Sequence, residues 1–126
     1  MTPASFLSRY LETLDATPDQ VLPLLAPDIE FCVLWSVDGE AQEFAGGMKE
    51  LEGYYAQREP DGQLHHIVLA GCEGNSEVAL GYTTRNGERL GTFTMAAQVD
   101  EQGRAVRLYA SRTTSLPFDP VDGGGN

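Results

Sequence analysis

Cationic side chains are scarce in this chain of 126 residues: eight Lys and Arg, with Lys49 the only lysine, face nineteen Asp and Glu, for a formal charge of −11. Binding to a phosphate backbone depends on clustered Lys and Arg that displace counterions, so this balance argues against a nucleic-acid partner. The same field repels an anionic substrate unless a local arginine reverses it. Long apolar runs are also missing. No stretch reaches the ~18 residues of a membrane span, and no basic segment followed by an apolar run opens the chain, so a cytoplasmic protein without a membrane partner is expected. Cys32 and Cys72 are the only cysteines, without Cys-x-x-Cys spacing or a surrounding His cluster, so neither a zinc site nor a redox pair is expected and both should pack as small apolar residues. The two histidines, His65 and His66, are adjacent, and on a strand they point to opposite faces and cannot chelate one ion. Gly46-Gly47 and Gly123 to Gly125 lack phosphate-loop spacing and context. No metal and no organic cofactor is expected.

What is present reads as one α+β domain over residues 1–114, followed by a flexible tail over 115–126 that carries Pro117, Pro120 and three final glycines. Thr2-Pro3 signals a helix start, and Phe6, Leu7, Tyr10, Leu11 and Leu14 recur at helical spacing on one face. Thr17, Pro18 and Gln20 suggest a capping box opening a short second helix, which Pro23 and Pro27 stop. From Ile29 the pattern is a strand that turns at Asp38-Gly39 and returns as far as Ala45. A third helix follows, with Met48, Leu51 and Tyr55 on one face, ended by Pro60-Asp61-Gly62.

The remainder reads as an antiparallel meander: Leu64 to Cys72, Glu77 to Thr84, Glu88 to Val99 and Arg104 to Thr114. A two-residue turn at Asn86-Gly87 pairs Tyr82 with Gly91, Leu80 with Phe93 and Val78 with Met95. A four-residue loop after Val99 pairs Met95 with Leu108, and one after Cys72 pairs Leu69 with Leu80 and His65 with Thr84. Counted this way, Ile67, Leu69, Val78, Leu80, Tyr82, Phe93, Met95 and Leu108 share an inner face with His65 and Arg112 towards one end, and His66 points outward.

The order of these segments, with Leu24-Leu25-Ala26-Pro27-Asp28-Ile29-Glu30-Phe31, the Gly47-Met48-Lys49-Glu50-Leu51 helix start and Leu64-His65-His66-Ile67 opening the meander, resembles the SnoaL-like branch of the nuclear-transport-factor-2-like (NTF2-like) superfamily. The resemblance covers roughly residues 3–114. It implies a cone-shaped curved antiparallel sheet wrapped around two or three N-terminal helices, a cystatin-like α+β roll with a pocket at its open end. Activities of the superfamily include ketosteroid isomerisation, polyketide cyclisation, dehydration and epoxide hydrolysis, so the resemblance implies a container more than a reaction. Carried over by position, Tyr10 matches the isomerases' tyrosine, whereas their aspartate base falls at Val33 and their protonated acid at Met95. Neither residue exchanges a proton, so that particular mechanism is not expected.

His65 is the expected acid–base group, because an imidazole titrates near working pH and the register turns it inward; the competing reading is a hydrogen-bonded rim residue. Tyr10 and Tyr82 are expected to hold a carbonyl or enolate oxygen, or else to be core aromatics. Phe31, Val33, Trp35, Phe93, Met95 and Leu108 would form the apolar substrate wall. Arg112, unusual on such a face, would pair with a substrate carboxylate, pair with Glu30 or Glu43, or sit exposed at the rim. The expected function is cofactor-independent isomerisation, cyclisation or dehydration of a small apolar oxygenated compound, polyketide- or steroid-like; the alternative is a non-catalytic ligand-binding or dimerisation domain of the same shape. A homodimer is expected through the outer sheet face, where Thr92, Thr94, Tyr109, Ser111 and Thr113 mix with Leu90, Ala96 and Ala105, and Arg107 is the main charge.

Overall fold

The computed structural model describes residues 5–37, 39–56, 62–114 and 116. The proposed tail, apart from Leu116, and parts of the turns at Asp38 and Pro60-Asp61 lie outside the described residues. Helix α1 (Ser5–Ala16) comes first, then two 3-10 turns (Pro18–Gln20 and Leu22–Leu24), strands β1 (Leu25–Val37) and β2 (Glu40–Gly46), helix α2 (Met48–Ala56), and strands β3 (Gln63–Glu73), β4 (Ser76–Arg85), β5 (Glu88–Val99) and β6 (Ala105–Thr113). Among the described residues these strands make one six-stranded sheet in the order β2-β1-β6-β5-β4-β3. All neighbours are antiparallel except β1 and β6, which run parallel and so join the two ends of the chain.

Helix α1 buries Phe6, Leu7, Tyr10, Leu11 and Leu14, the stripe that helical spacing selects. It has no acidic residue in its own first turn. That place is taken by Glu77 of β4, whose carboxylate accepts the Phe6 N–H at 3.1 Å and the Leu7 N–H at 3.0 Å, both within the interior. Two of the N–H groups a helix leaves unsatisfied at its start are thereby bonded, and the negative charge sits at the positive end of the helix dipole. The short second helix is replaced by 3-10 turns. Thr17 makes no side-chain cap bond there: the Gln20 N–H that such a bond would use donates to the Thr17 carbonyl at 2.8 Å, and Pro23 denies the next turn a donor. At α2, Glu50 reaches back to the Gly47 N–H at 2.7 Å, and this bond holds its carboxyl below the usual range.

The hairpin turn forms as the sequence predicts, with Asn86 at φ 54° and Gly87 at φ 82°, the left-handed pair of a type I′ turn. The pairing beyond it differs by one residue. Arg85 faces Glu88 and Thr84 faces Arg89, but Thr83 faces Gly91, so Leu90 is bulged out of β5. Tyr82 therefore opposes Thr92, Leu80 opposes Thr94 and Val78 opposes Ala96, and all three leave the inner face that simple counting gave them. Glu77, Ala79, Gly81 and Thr83 take the inner positions and are buried. A second bulge, at Val68, corrects β3 in the opposite sense: Leu69 still faces Leu80, now on the outside, while Ile67 faces Gly81 and His65 faces Thr83. His65 thus ends inside through a bulge that the counted register did not contain.

Between β5 and β6 two one-residue slips add up to two, so the faces survive. Asp100 accepts the N–H groups of Gln102 at 2.9 Å and Arg104 at 3.0 Å, and the Arg104 bond foremost holds its carboxyl below the usual range. With Arg104 tied into the turn, Ala105 rather than Arg104 pairs with Val99 and Val106 is skipped before Arg107 meets Gln98. Met95 then opposes Ala110 and Phe93 opposes Arg112, with all four on the inner face. Ala105, expected outside, is fully buried.

Removing the Glu77 clasp should be costly, because two buried N–H groups lose a charged acceptor. Glu77→Ala is expected to lower unfolding stability by about 2 kcal/mol, and Glu77→Gln by less. A urea midpoint for Glu77→Ala within about 0.5 kcal/mol of the wild type would show that the clasp does not anchor α1.

Candidate active site

The chamber between α1, α2 and the concave face of the sheet is small, about 50 Å³. Helix α1 contributes Tyr10, Leu11 and Leu14, β1 contributes Phe31 and Val33, and α2 contributes Tyr54. His65, Phe93, Met95, Ala110 and Arg112 line it from β3, β5 and β6. Of the residues expected to form the site, His65, Tyr10, Phe31, Val33, Phe93, Met95 and Arg112 are brought together here. Leu108 is buried in the core below the chamber. Trp35 lies outside it, in an adjoining groove of about 190 Å³ formed with Leu90, Thr113 and Arg112. Tyr82 is on the opposite side of the sheet, stacked on His66 at 4.7 Å between ring centres and covered by the Arg89 guanidinium at 4.0 Å. The bulge at Leu90 puts it there.

His65 is fixed by a residue that sequence reasoning missed. Its Nδ1 lies 2.6 Å from Asp15 Oδ1, and its backbone N–H donates to Asp15 Oδ2 at 2.8 Å. Both side chains are largely withdrawn from water, with 7% and 12% of their area exposed. A carboxylate that accepts from Nδ1–H selects that tautomer and leaves Nε2 without a hydrogen. Asp15 sits in the last turn of α1, where the helix dipole disfavours a negative charge. That misfit of charge and position was the available signal, but its partner is fifty residues away in the chain.

Phe93 touches the His65 ring edge-on at 5.2 Å. Gly81 makes this possible, since a Cβ there would lie 2.9 Å from Phe93 Cε1 and 2.0 Å from the His66 carbonyl oxygen. The Tyr10 and Tyr55 hydroxyls are 2.5 Å apart, with both rings buried. Tyr55 backs Tyr10, while the neighbouring Tyr54 packs on Phe44 at 5.0 Å and closes the wall. His66, by contrast, faces outward and bonds Thr84 Oγ1 at 2.8 Å.

Other reactive groups are engaged elsewhere. The Cys32 thiol lies 3.6 Å from Glu43 Oε2, and burial, reinforced by that carboxylate, pushes it up and keeps it protonated. Glu30 pairs on the outer face with Arg107 at 3.0 Å. Among the described residues no three His, Cys, Asp or Glu side chains are grouped as metal ligands.

No family model and no curated protein matches the sequence. Solved structures match it in fold. A candidate ketosteroid isomerase from Kribbella flavida superposes with a TM-score of 0.64 at 15% identity over 93% of this chain and 82% of that one. A candidate isomerase of the SnoaL-like family from Agrobacterium tumefaciens gives 0.61 at 12% identity, covering 86% and 94%. The yeast UBP3-associated protein BRE5 gives 0.65 at 11% identity, covering 90% and 93%.

The contact between His65 and Phe93 depends on the missing side chain at residue 81. Gly81→Ala is expected to lower stability by about 1–3 kcal/mol and to displace the Phe93 ring, visible as a changed ring-current shift on the His65 imidazole in proton NMR. An unchanged spectrum together with an unchanged melting midpoint would remove Gly81 from the site.

Proposed function

On the NTF2-like α+β cone that this chain shares with those structures, we propose a cofactor-independent acid–base enzyme acting next to a carbonyl. The observation that carries the reading is the Asp15–His65 pair at 2.6 Å facing the chamber that Tyr10 also lines. His65 Nε2 accepts a proton from the carbon beside the carbonyl, and Asp15 steadies the imidazolium through Nδ1–H. The Tyr10 hydroxyl, backed by Tyr55, donates to the oxygen on which the enolate charge develops. Return of the proton to a different carbon is isomerisation, loss of a β-hydroxyl is dehydration, and attack of the enolate carbon on a second carbonyl is cyclisation. Val33 and Met95 serve as apolar walls that exclude water.

A chamber of about 50 Å³ is well below the ~300–1,000 Å³ of a site that encloses a drug-sized ligand, so it takes the reacting end of a substrate and not a whole steroid. Cys32 and Cys72 are free thiols, which suits the reducing cytoplasm. Exchange of the α-hydrogens of cyclohexanone in D₂O, followed by proton NMR, tests the reading without knowledge of the substrate. The wild type should exceed the buffer rate, His65→Ala should return to it, and Asp15→Asn should lose about a hundredfold or more. His66→Ala should match the wild type. Equal rates for wild type and His65→Ala would rule out His65 as the base.

A second reading, a homodimer through the outer sheet face, is favoured by a separate observation. The bulge at Leu90 turns apolar side chains outward, and Leu69, Val78 and Tyr109 are 62%, 57% and 41% exposed around Leu80 and Ala96. Arg107 is neutralised there by Glu30 and also donates to Gln98 at 2.9 Å. Thr94 and Ser111 bond each other at 2.7 Å, whereas Thr92 is covered by the Leu116 carbonyl and does not belong to the free face. The wild type is expected to sediment as a dimer at micromolar concentration and Tyr109→Glu as a monomer, because a carboxylate near a two-fold axis meets its own copy. A monomeric wild type, or a dimer indifferent to Tyr109→Glu, would exclude this face.

A further inference from the structure

Gln63, Glu77, Thr83 and Thr92 are the buried polar residues among those described. Glu77 caps α1, Thr92 donates to the Leu116 carbonyl, and Gln63 has an interaction of its own. Thr83 is the exception. It is 1% exposed, and its Oγ1 has no hydrogen-bond partner among the described residues. A hydroxyl withdrawn from water without a partner costs stability, and valine, equally suited to a strand, fills nearly the same volume without that cost. The hydroxyl therefore works against the fold where it stands.

The register shows what stands beside it. Thr83 opposes Gly91 on β5 and His65 on β3. Gly91 has no side chain, so His65 is the side chain directly across a strand from Thr83, with Cβ atoms about 4.5–5.5 Å apart at the usual spacing of opposed residues. The imidazole has a nitrogen to spare. Asp15 holds Nδ1, and no hydrogen bond reaches Nε2 among the described residues. An unused ring nitrogen and an unused hydroxyl thus belong to opposed residues on the inner face, and water is withdrawn from both side chains.

A base changes its hydrogen-bonding sense as it works. Bare, Nε2 accepts a hydrogen bond; carrying a proton, it donates one. A carboxylate only accepts and an ammonium only donates, whereas a hydroxyl does both. We propose that Thr83 is the positioning residue for Nε2: its hydroxyl donates to the bare nitrogen and accepts from it once the nitrogen has taken a proton, while Asp15 holds Nδ1 throughout. The hydroxyl keeps its own hydrogen in both states, and the transferred proton moves only between the substrate carbon and Nε2. In the arrangement seen here that bond is open. A turn of χ1 to another staggered well exchanges the methyl with the hydroxyl and redirects Oγ1. This role rests on the reading of His65 as the base, and it adds to that reading a residue that touches no substrate.

The chain has two histidines, so ¹⁵N labelling of the imidazoles gives one pair of ring-nitrogen resonances for His65 and one for His66, which faces outward and serves as internal reference. Thr83→Val is expected to move the His65 Nε2 resonance while both His66 nitrogens stay in place, with a melting midpoint equal to the wild type or higher. Its cyclohexanone exchange should fall about tenfold, the worth of one hydrogen bond. Thr83→Ser, which keeps the hydroxyl, should return the resonance to its wild-type position and the rate to within about twofold. An Nε2 resonance unmoved by Thr83→Val overturns the role. So does a resonance that Thr83→Ser fails to restore, or an unchanged exchange rate in Thr83→Val. If Thr83→Val does not fold, Thr83→Ala takes its place with the same expectations for resonance and rate. The nitrogen resonances are read without substrate, so the two readings fail separately. A wild type that exchanges no faster than buffer, with the resonance moved by Val and restored by Ser, sinks only the chemistry. Exchange that His65→Ala abolishes, with the resonance unmoved by Thr83→Val, sinks only the positioning role.

Discussion

A curved sheet with one apolar face leaves a concavity that must be filled, and here the filling is α1, held at both ends by carboxylates. Glu77 of β4 binds the first turn of the helix, and Asp15 in its last turn binds the start of β3. Between these points the apolar stripe of the helix presses on the sheet. Everything in the chamber refers to that placement. Tyr10 projects from the middle of the helix, Asp15 from its end, and the imidazole takes its orientation from Asp15. The two anchors differ in chemistry. Glu77 satisfies the helix and is favoured by its dipole, whereas Asp15 opposes the dipole and is stabilised by what it binds.

This division explains how the site is kept small and polar at one end. By the resemblance drawn from the sequence, Val33 and Met95 stand where an isomerase would carry its acids, and both line the chamber with apolar side chains. The polar side chains Tyr10, Asp15, Tyr55 and His65 come from α1, α2 and the first residues of β3.

Much of this was legible in the sequence, and the failures have physical causes. The helical stripe of α1, the type I′ turn at Asn86-Gly87 and the strand order of the meander follow from local chemistry, which composition and periodicity report. A β-bulge leaves no comparable trace. Leu90 and Val68 are ordinary strand residues, and one skipped residue exchanges the two faces of a strand. Counting outward from a correct turn therefore placed Tyr82 inside and left Thr83 outside. His65 was placed correctly only because the second bulge offsets the first. The parallel pairing of β1 with β6 and the bond between Asp15 and His65 join positions far apart in the chain, and single-sequence patterns carry no distance information of that kind.

The bulges at Val68 and Leu90 also divide β3 and β5 into stretches of opposite phase. Along β3, His65 and Ile67 face inward on the rim side of the bulge, whereas Leu69 beyond it reaches the surface. A substitution at the rim end of β3 thus bears on the chamber, and one at the far end on the convex side. One polypeptide segment carries two separate addresses, so evolution can rewrite either message without disturbing the other.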